Sequence, residues 1–327
     1  MNIATKILID EMENRGIDVS PYSDKVFEAK INHHVEYLYA QYFSKNSAVA
    51  RQICSKKELT KAFLEKANIS VAKGGLFSPS QLAEGLEFAQ KNYPVVIKPT
   101  PGGHGDGVFA DVKNDEEFAF FWQETKKITN PKNIIVEQKF TGLEYRILAT
   151  NERILAVTHR IPANVIGDGV HSIEKLIQIK NDDPRRSDDT GDPVVKIKID
   201  ASIIRKIKSE RLMLDLVLEE GRQLFLRDNS NISTGGESID CTDKIHPSVA
   251  KIAVEAINAI PGLLYAGIDF MTTDIAREHT SNDYIVIEIN SSPGIDMHHF
   301  PYEGKPRNVA SDIIDLVFPE TKKEIKK

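Results

Sequence analysis

The stretch YIVIEINSSPG, residues 284–294, places polar side chains at the end of an apolar run. Tyr, Ile and Val favour a strand, and Glu288 and Asn290 follow two residues apart, so both side chains lie on one face of that strand. Asp269 lies in the preceding predicted strand, YAGIDFM, which we expect to pair with it as a hairpin. Three oxygen ligands on neighbouring strands suit Mg²⁺. Solvent-facing residues on a half-exposed sheet are the alternative, but IEIN followed by SSPG favours a metal site.

A second segment of chemical interest is IKPTPGGHGDGV, residues 97–108, which has four glycines within six residues. Lys98 stands at the end of a predicted strand, just before these glycines. Glycines let backbone N–H groups approach a polyphosphate closely, and a lysine beside them supplies positive charge. The segment is not a Walker A motif, because no Gly-Lys-Ser/Thr follows the loop. An ordinary glycine-rich hairpin turn explains the pattern equally well.

A third segment, VEQKFTGLEYRI at residues 136–147, runs from an apolar strand into a turn. Glu144 and Arg146 then alternate with apolar residues. A strand edge of this kind can offer backbone groups to an adenine and an acidic side chain to a ribose. Charged residues on an exposed strand are the simpler explanation if the segment is taken alone.

Two loops add clusters of polar groups. LRDNSNISTGG at residues 226–236 carries Arg227 and Asn231 and is rich in donors for an anion, although Asn, Ser and Gly also simply form turns. MHHFPYEGKPR at residues 297–307 carries His298 and Arg307. An acid–base role for a histidine here is one possibility, and a structural or substrate-orienting role is favoured over it.

The elements that must position these groups alternate between helix and strand, which predicts an α/β (α+β) fold. Residues 1–56 are predicted to be mostly helical, including EYLYAQYFSKNSAVARQICS. The next segment, SKKELTKAFLEKANISV, has apolar residues at helical spacing, with Ser55 as the expected N-cap and Glu58 three residues on. A strand, a glycine-rich turn and a strand follow, then a helix, a β-meander from 145 to 160, and a polar loop at 181–195.

Composition limits the functional classes. The chain has 327 residues, more than one core usually serves, so two or three subdomains are expected. It is 41% hydrophobic and 28% charged with a net charge of −6, which favours neither a nucleic acid nor a membrane surface as partner. Its two cysteines are too few for a disulfide framework, and no Cys/His spacing suits zinc. The N-terminus lacks an apolar signal segment and no window approaches 18 apolar residues, so the expected location is cytoplasmic.

Taken together, these blocks resemble the ATP-grasp superfamily of carboxylate–amine ligases. The similarity is greatest to the ATP-grasp portions of cyanophycin synthetase and of the bifunctional glutathione synthetase, over roughly residues 50–320. It rests on KKELTK, VVIKPTPGGHGDGV, RIPANVIGDGVHSIEKLI, NSNISTGGESIDCTD, AGIDF and IEINSSPGIDMHHFPYEGKPRNVA. The resemblance implies an ATP-grasp fold, in which the nucleotide lies between two α+β subdomains. The expected division is 1–56 as a short N-terminal region, 57–140 as a lid and 141–327 as a catalytic part with the metal site.

The resemblance also implies a role for each matching position. Residues that would bind ATP are Lys57, Lys98, Gly102, Gly103, His104, Gly105, Gly107, Glu137, Lys139, Phe140 and Glu144. Residues that would hold Mg²⁺ are Asp269, Glu288 and Asn290. Arg227 and Asn231, with Lys98, would surround the transferred phosphate as catalytic residues, and substrate-binding positions would be Arg146, Arg160, His298 and Arg307.

The implied reaction activates a carboxylate as an acylphosphate with ATP and then joins it to an amine, releasing ADP and phosphate. ATP and two Mg²⁺ ions are the expected cofactors, with Mn²⁺ as a substitute, and the substrates would be an amino acid or small peptide and an amine. A homo-oligomer is compatible with the resemblance. Two alternatives stay open: transfer of the acyl group to a thiol or a carrier-bound acceptor, and an ATP-binding regulatory module without turnover.

Three departures limit what the resemblance implies. Asp106 stands in the glycine-rich loop where a basic or neutral residue is expected, and an acid beside phosphates is unfavourable unless it points outward. The region before Lys57 is short for the N-terminal domain of the superfamily. Neither the glutamate–cysteine ligase half of the glutathione enzyme nor the Mur-ligase-like half of cyanophycin synthetase is present, so neither whole activity is implied.

Overall fold

The computed structural model describes residues 1–100, 107–189 and 191–322 of the chain. The predicted mixture of helices and strands is confirmed. The helices are α1 (Ile3–Asn14), α2 (Ala48–Cys54), α3 (Lys57–Lys66), α4 (Leu82–Gln90), α5 (Asp115–Thr129), α6 (Ile173–Asn181), α7 (Ala201–Ser209), α8 (Pro247–Asn258), α9 (Asp296–His299) and α10 (Val309–Val317).

The strands form four separate sheets. In chain order they are β1 (Asp18–Pro21), β2 (Val26–Ile31), β3 (His34–Tyr39), β4 (Tyr42–Phe43), β5 (Gly74–Phe77), β6 (Val95–Thr100), β7 (Phe109–Val112), β8 (Asn133–Gln138), β9 (Leu143–Thr150), β10 (Ile154–Ile161), β11 (Asn164–Ile166), β12 (Gln223–Phe225), β13 (Glu237–Asp240), β14 (Tyr265–Thr272) and β15 (Tyr284–Asn290).

The prediction that residues 1–56 are mostly helical is wrong. Between α1 and α2 the chain forms the four-stranded sheet β1-β2-β3-β4. The reason is a period of two: along β3, Leu38 is buried while its neighbours Tyr37 and Tyr39 are exposed, as a sheet with one covered face requires. The buried face packs against α1 and α10, so this sheet shares one core with the end of the chain.

The helix predicted after this region is confirmed as α3, but its predicted start is wrong. Ser55 ends α2 instead of beginning α3. Lys56 takes the N-cap position of α3 and makes no side-chain capping bond. Because α3 begins at Lys57, that side chain lies in the first turn, and Lys61 follows four residues later on the same face.

The strand–turn–strand prediction around the glycine-rich loop is also confirmed. β6 and β7 are antiparallel and belong to the sheet β5-β8-β6-β7, which we call the lid sheet. Its core contains Phe118 and Trp122 from α5, both fully buried.

The largest sheet has the order β13-β10-β9-β14-β15, and we call it the central sheet. It contains the predicted β-meander, as β9 and β10, and the predicted hairpin, as β14 and β15. Helix α8 packs on one face and contributes Val249, Ala253 and Ile257 to the core beneath. The opposite face carries Asp269, Glu288 and Asn290, which the sequence singled out.

A smaller unit holds the remaining elements. β11 and β12 pair with each other, and α6 and α7 pack beside them around their own apolar core. The expected boundaries at residues 56 and 140 stay predictions. Within the described ranges, the structure contains no helix that combines the length and apolar character needed to cross a membrane.

Candidate active site

A row of polar residues crosses the central sheet from one edge to the other. Residues directly opposite each other in an antiparallel sheet project from the same face. Here the cross-strand register joins five side chains in sequence: Asp240, Thr158, Arg146, Asp269 and Glu288. The predicted hairpin therefore brings Asp269 and Glu288 together, and the register adds three neighbours that sequence reasoning did not connect with them.

Asp269 is buried between two arginines. It is 6% exposed; its Oδ1 accepts a hydrogen bond from Arg146 Nε at 2.6 Å, and its Oδ2 accepts one from Arg160 Nη2 at 2.9 Å. Burial alone would raise the pKa of Asp269, but the two guanidinium groups outweigh it and hold the pKa below its ordinary value. Asp269 is therefore a carboxylate that stays ionised inside the protein.

Glu288 lies opposite Asp269 in different surroundings. Its side chain is about one-third exposed and pairs with Lys57 Nζ from the first turn of α3. Asn290 lies two residues further on the same face, and its Oδ1 accepts a hydrogen bond from the Ser292 backbone at 3.0 Å. The strand tip thus offers one accessible carboxylate and one amide oxygen beside a buried carboxylate.

The donor chemistry of this tip fits Mg²⁺. Asp269, Glu288 and Asn290 supply hard oxygen atoms from two paired strands, and a Mg²⁺ ion bound mainly by phosphate and water needs only one or two carboxylates from the protein. Across residues 1–100, 107–189 and 191–322, no group of three or more His, Cys, Asp or Glu side chains is placed to hold a metal ion.

Helix α3 links the metal-ligand candidates to the lid sheet. Lys57 reaches Glu288 on the central sheet, and Lys61, one turn later, donates to Glu137 Oε1 at 3.1 Å. Lys98 donates to Glu137 Oε2 at 2.5 Å. Burial alone would raise the pKa of Glu137, but the ammonium groups of Lys98 and Lys61 hold it below its ordinary value. Sequence reasoning missed Lys61, although its spacing from Lys57 was a signal.

Glu144 and Arg160 extend the buried network toward the 226–236 loop. Arg160 Nη2 contacts Glu144 as well as Asp269, and Ser230 of the loop donates to the other oxygen of Glu144. Burial would lower the pKa of Arg160, but Asp269 and Glu144 raise it above its ordinary value. The proposed ribose contact, Glu144, is thus already engaged by protein groups.

The two residues expected around the transferred phosphate make local contacts. Arg227 donates to Asp200 Oδ2 at 2.6 Å and to the Thr234 carbonyl at 3.3 Å. Asn231 caps a short 3₁₀ turn through a bond from Ser233 N at 3.2 Å. Ser230 of the same loop binds Glu144, so the loop contacts the buried network. The expected roles of Arg227 and Asn231 stay predictions.

His298 and Arg307 lie at the far end of the polar row. His298 is 1% exposed, and its Nδ1 is 2.8 Å from Thr158 Oγ1. Burial, with the nearby Arg146, lowers the pKa of His298 to about 3, so the ring is neutral. Arg307 binds Asp240 through Nη2 at 2.6 Å and Nε at 3.1 Å, and Asp243 through Nη1 at 3.1 Å. Its donors are taken up by carboxylates, which is the geometry of a structural clamp.

The remaining expected nucleotide contacts lie in the lid sheet or beside it. Lys139 Nζ binds Asp111 Oδ1 at 2.7 Å, and Phe140 packs against Gly142. Gly107 has a φ of +66° and accepts a hydrogen bond from Thr125 Oγ1. Gly102, Gly103, His104 and Gly105, together with Asp106, lie outside the described residues.

The chain matches the family model described as "Carbamoyl-phosphate synthase L chain, ATP binding domain" over residues 56–195. It is 35% identical over 320 residues to cyanophycin synthetase of Crocosphaera subtropica, covering 97% of this chain and 36% of the relative. It is 34% identical over 328 residues to the glutathione biosynthesis bifunctional protein GshAB of Pasteurella multocida, covering 98% of this chain and 43% of the relative.

A comparison with a solved structure agrees with these sequence similarities. The bifunctional glutathione synthetase of Pasteurella multocida superposes with a TM-score of 0.73 at 33% identity, covering 98% of this chain and 44% of that one. The similarity reaches further toward the N-terminus than the expected residues 50–320, because 97% or 98% of the chain is covered.

The polar row, the lid sheet and these matches define an ATP-grasp protein, and the chain belongs to the ATP-grasp superfamily. Within it, the chain is similar to segments of cyanophycin synthetase and of the bifunctional glutathione protein. It spans about a third of the first and less than half of the second.

Proposed function

We propose that this chain is an ATP-dependent carboxylate–amine ligase that forms an amide or peptide bond through an acylphosphate and releases ADP and phosphate. The observation that carries the proposal is the α3 link: Lys57 meets Glu288 on the central sheet while Lys61 and Lys98 meet Glu137 on the lid sheet. Cationic groups suited to phosphates thus lie next to oxygen ligands suited to Mg²⁺, on two sheets that can enclose a nucleotide. Membership of the superfamily supports the same reading.

The proposed nucleotide position follows from these pairs. Lys57 and Lys98 would neutralise phosphate oxygens, and Glu137, Lys139 and Phe140 would border the adenine. Phosphoryl transfer needs mainly positioning and charge neutralisation. Bound Mg²⁺, which Asp269, Glu288 and Asn290 would hold, supplies further neutralisation of the phosphate charge. We expect two ions, with Mn²⁺ as a substitute.

Arg146 is the arginine best placed to bind the acid substrate. Its Nε is held by Asp269, while among the described residues no hydrogen bond or ion pair engages its Nη1 or Nη2. Arg307, by contrast, is fully engaged by Asp240 and Asp243. We therefore assign carboxylate binding to Arg146, supported by Arg160 and His298, and assign Arg307 a structural role. Arg227 and Asn231 would stabilise the negative charge that develops during acyl transfer.

The test is ADP release with Mg·ATP from amino acids and small peptides, supplied singly and in pairs. The proposal predicts ADP only when a carboxylate and an amine are both present, with an amide product of matching mass. Lys57→Met should abolish the signal, whereas Lys56→Met, one residue earlier, should retain it because Lys56 makes no contact with Glu288.

Other results would select the alternatives. ADP formed with a thiol or a carrier-bound acceptor, and not with free amines, would replace the amine by that acceptor. Calorimetric ATP binding without ADP from any pair or acceptor would favour a regulatory module. Sedimentation of the same samples would give the oligomeric state, for which we propose a homo-oligomer.

A further inference from the structure

The Arg146 guanidinium lies in a space beside Gly267, a residue without a side chain. We call this space the seat. Arg146 on β9 lies opposite Asp269 on β14, and its side chain runs diagonally across β14 toward Gly267. A Cβ built on Gly267 would lie 3.0 Å from Arg146 Nη1 and 3.1 Å from Arg146 Cδ. Both distances are shorter than ordinary van der Waals contacts, so the guanidinium occupies the space that a side chain at position 267 would fill.

Pro293 is a second residue that borders the seat. The same Cβ would lie 2.9 Å from Cβ of Pro293, in the turn that follows the metal-ligand strand. Gly267 pairs directly with Asn290 in the sheet register. The guanidinium therefore lies against β14 at Gly267, beside Asp269 and next to the strand that ends in Asn290.

The groups around the seat have little room to adjust. Arg146 Nε is held at 2.6 Å from Asp269 Oδ1, and the Arg146 side chain is 8% exposed. Asp269 is held in turn by Arg160, and β14 is bordered by strands on both sides. The Pro293 ring has no rotatable side-chain bonds. A methyl group at position 267 would thus have to displace the guanidinium, the proline turn, or both.

We propose that Gly267 is a positioning residue, which sets the place of the Arg146 guanidinium and through it the anionic group of the acid substrate. Gly267 itself touches no substrate. The role is steric, and it does not need the conformational freedom of glycine, because position 267 lies in a regular strand. The proposal rests on the ligase function proposed above, and it predicts a defect in handling the acid rather than in handling ATP.

The decisive variant is Gly267→Ala. It should raise KM for the acid substrate by about tenfold or more, as loss of one well-placed charged hydrogen bond would, and change KM for ATP by less than about threefold. Because the added methyl group lies closer than van der Waals contact to Pro293 and Arg146, the thermal midpoint should fall, and both KM values are measured at a temperature at which the variant and the wild type are folded. Gly294→Ala is the matched control, since among the described residues its added methyl would meet only Asp296 Oδ1, at 3.0 Å.

A double-mutant cycle separates positioning from a general structural effect. In an Arg146→Ala background, Gly267→Ala should cause no further loss of kcat/KM for the acid, because the group that it displaces is gone. In a Pro293→Gly background the loss should persist. Additive losses with Arg146→Ala, or a loss that disappears with Pro293→Gly, would overturn the proposal by assigning the effect to the turn.

A second readout does not depend on turnover. Nitrogen-15 NMR of arginine side chains, with the Arg146 signal assigned from Arg146→Lys, reports the Nε–H bond to Asp269. We expect hydrogen exchange of this Nε–H to be slow in the wild type and at least about tenfold faster in Gly267→Ala. An unchanged exchange rate in Gly267→Ala would overturn the proposed positioning of Arg146 by Gly267, even if the protein is an active ligase. A faster exchange rate in a protein that makes no ADP would support the positioning role of Gly267 and contradict the proposed ligase function.

Discussion

Asp269 and Glu288 face each other across two paired strands, yet they differ in how they are held. Asp269 is 6% exposed and held by Arg146 and Arg160, whereas the Glu288 side chain is about one-third exposed and, among the described residues, is held by Lys57 alone. A buried carboxylate between two guanidinium groups is a permanent part of the fold, because neither charge can be left alone in the interior. A lysine–glutamate pair that is about one-third exposed contributes little stability and can be exchanged.

The difference suggests how one site can be both rigid and responsive. The Asp269 cluster would keep the sheet face and Arg146 in place. The Lys57–Glu288 pair would open when a nucleotide and its ion arrive, with Lys57 turning to phosphate and Glu288 to the metal. Each prediction below changes one side of this comparison.

Asp269→Asn should cause the largest loss of stability. The substitution replaces the carboxylate between Arg146 and Arg160 by a neutral amide, so both guanidinium groups stay buried without that negative charge. Breaking a buried ion pair costs about 3 kcal/mol or more. We expect the free energy of unfolding in urea to fall by about that amount and ADP release to cease. A variant as stable as the wild type would remove the distinction between the two carboxylates.

Glu288→Gln should separate function from stability. Since both side chains of the Lys57–Glu288 pair are about one-third exposed, its loss should change the free energy of unfolding by less than about 1 kcal/mol. ADP release should nevertheless fall by about 100-fold or more, because the accessible carboxylate proposed to bind the metal ion is lost. Retained activity in this folded variant would show that Glu288 is not a ligand.

Acid should weaken the Asp269 cluster in a defined direction. The folded-state pKa of Asp269 lies below its ordinary value, so its contribution to stability is present above the unfolded pKa of about 3.9 and is lost as pH falls through the folded pKa. The stability difference between wild type and Asp269→Asn should therefore be largest near pH 7 and shrink at pH values below about 4. Urea unfolding of both proteins at several pH values measures it; a difference that grows in acid would contradict the assignment.

Lys61→Met should have a smaller effect, confined to the lid sheet. Glu137 would keep Lys98 but lose its second cation, which we expect to cost about 1.5 kcal/mol of stability. KM for ATP should rise by about threefold to tenfold, because Lys98 would then be held more tightly by Glu137. Lys61→Arg is the control and should restore most of both quantities.

Much of the central sheet could be predicted from sequence. The alternation in IEIN and the apolar run before it predicted the hairpin strand. The helical spacing of apolar residues predicted α3, although the helix begins at Lys57 rather than directly after Ser55. Local patterns of this kind reflect interactions between residues close in the chain. The β3 and β4 strands were missed because EYLYAQYF suits either a helix or a half-covered strand until the packing of α1 and α10 decides between them.

The pairings within the site were harder to predict. Arg146 and Asp269 are 123 residues apart, and only the register of β9 against β14 brings them together. The same register places Gly267 beside the Arg146 side chain. Arg227 was predicted to offer donors to an anion, but Asp200, the N-cap residue of α7, already accepts a hydrogen bond from it. Contacts of this kind depend on tertiary geometry, which composition and spacing do not specify.

We expect Glu288 to exchange Lys57 for a metal ion that accompanies ATP. The most direct test of this exchange is calorimetric titration of ATP into wild type and Glu288→Gln, each with Mg²⁺ and with a chelator. We expect Mg²⁺ to tighten ATP binding to the wild type by about tenfold or more, equal to about 1.4 kcal/mol. In the variant, metal-free ATP should bind at least as tightly as to the wild type, because Lys57 is released, and Mg²⁺ should add little. An equal gain from Mg²⁺ in both proteins would contradict the claim.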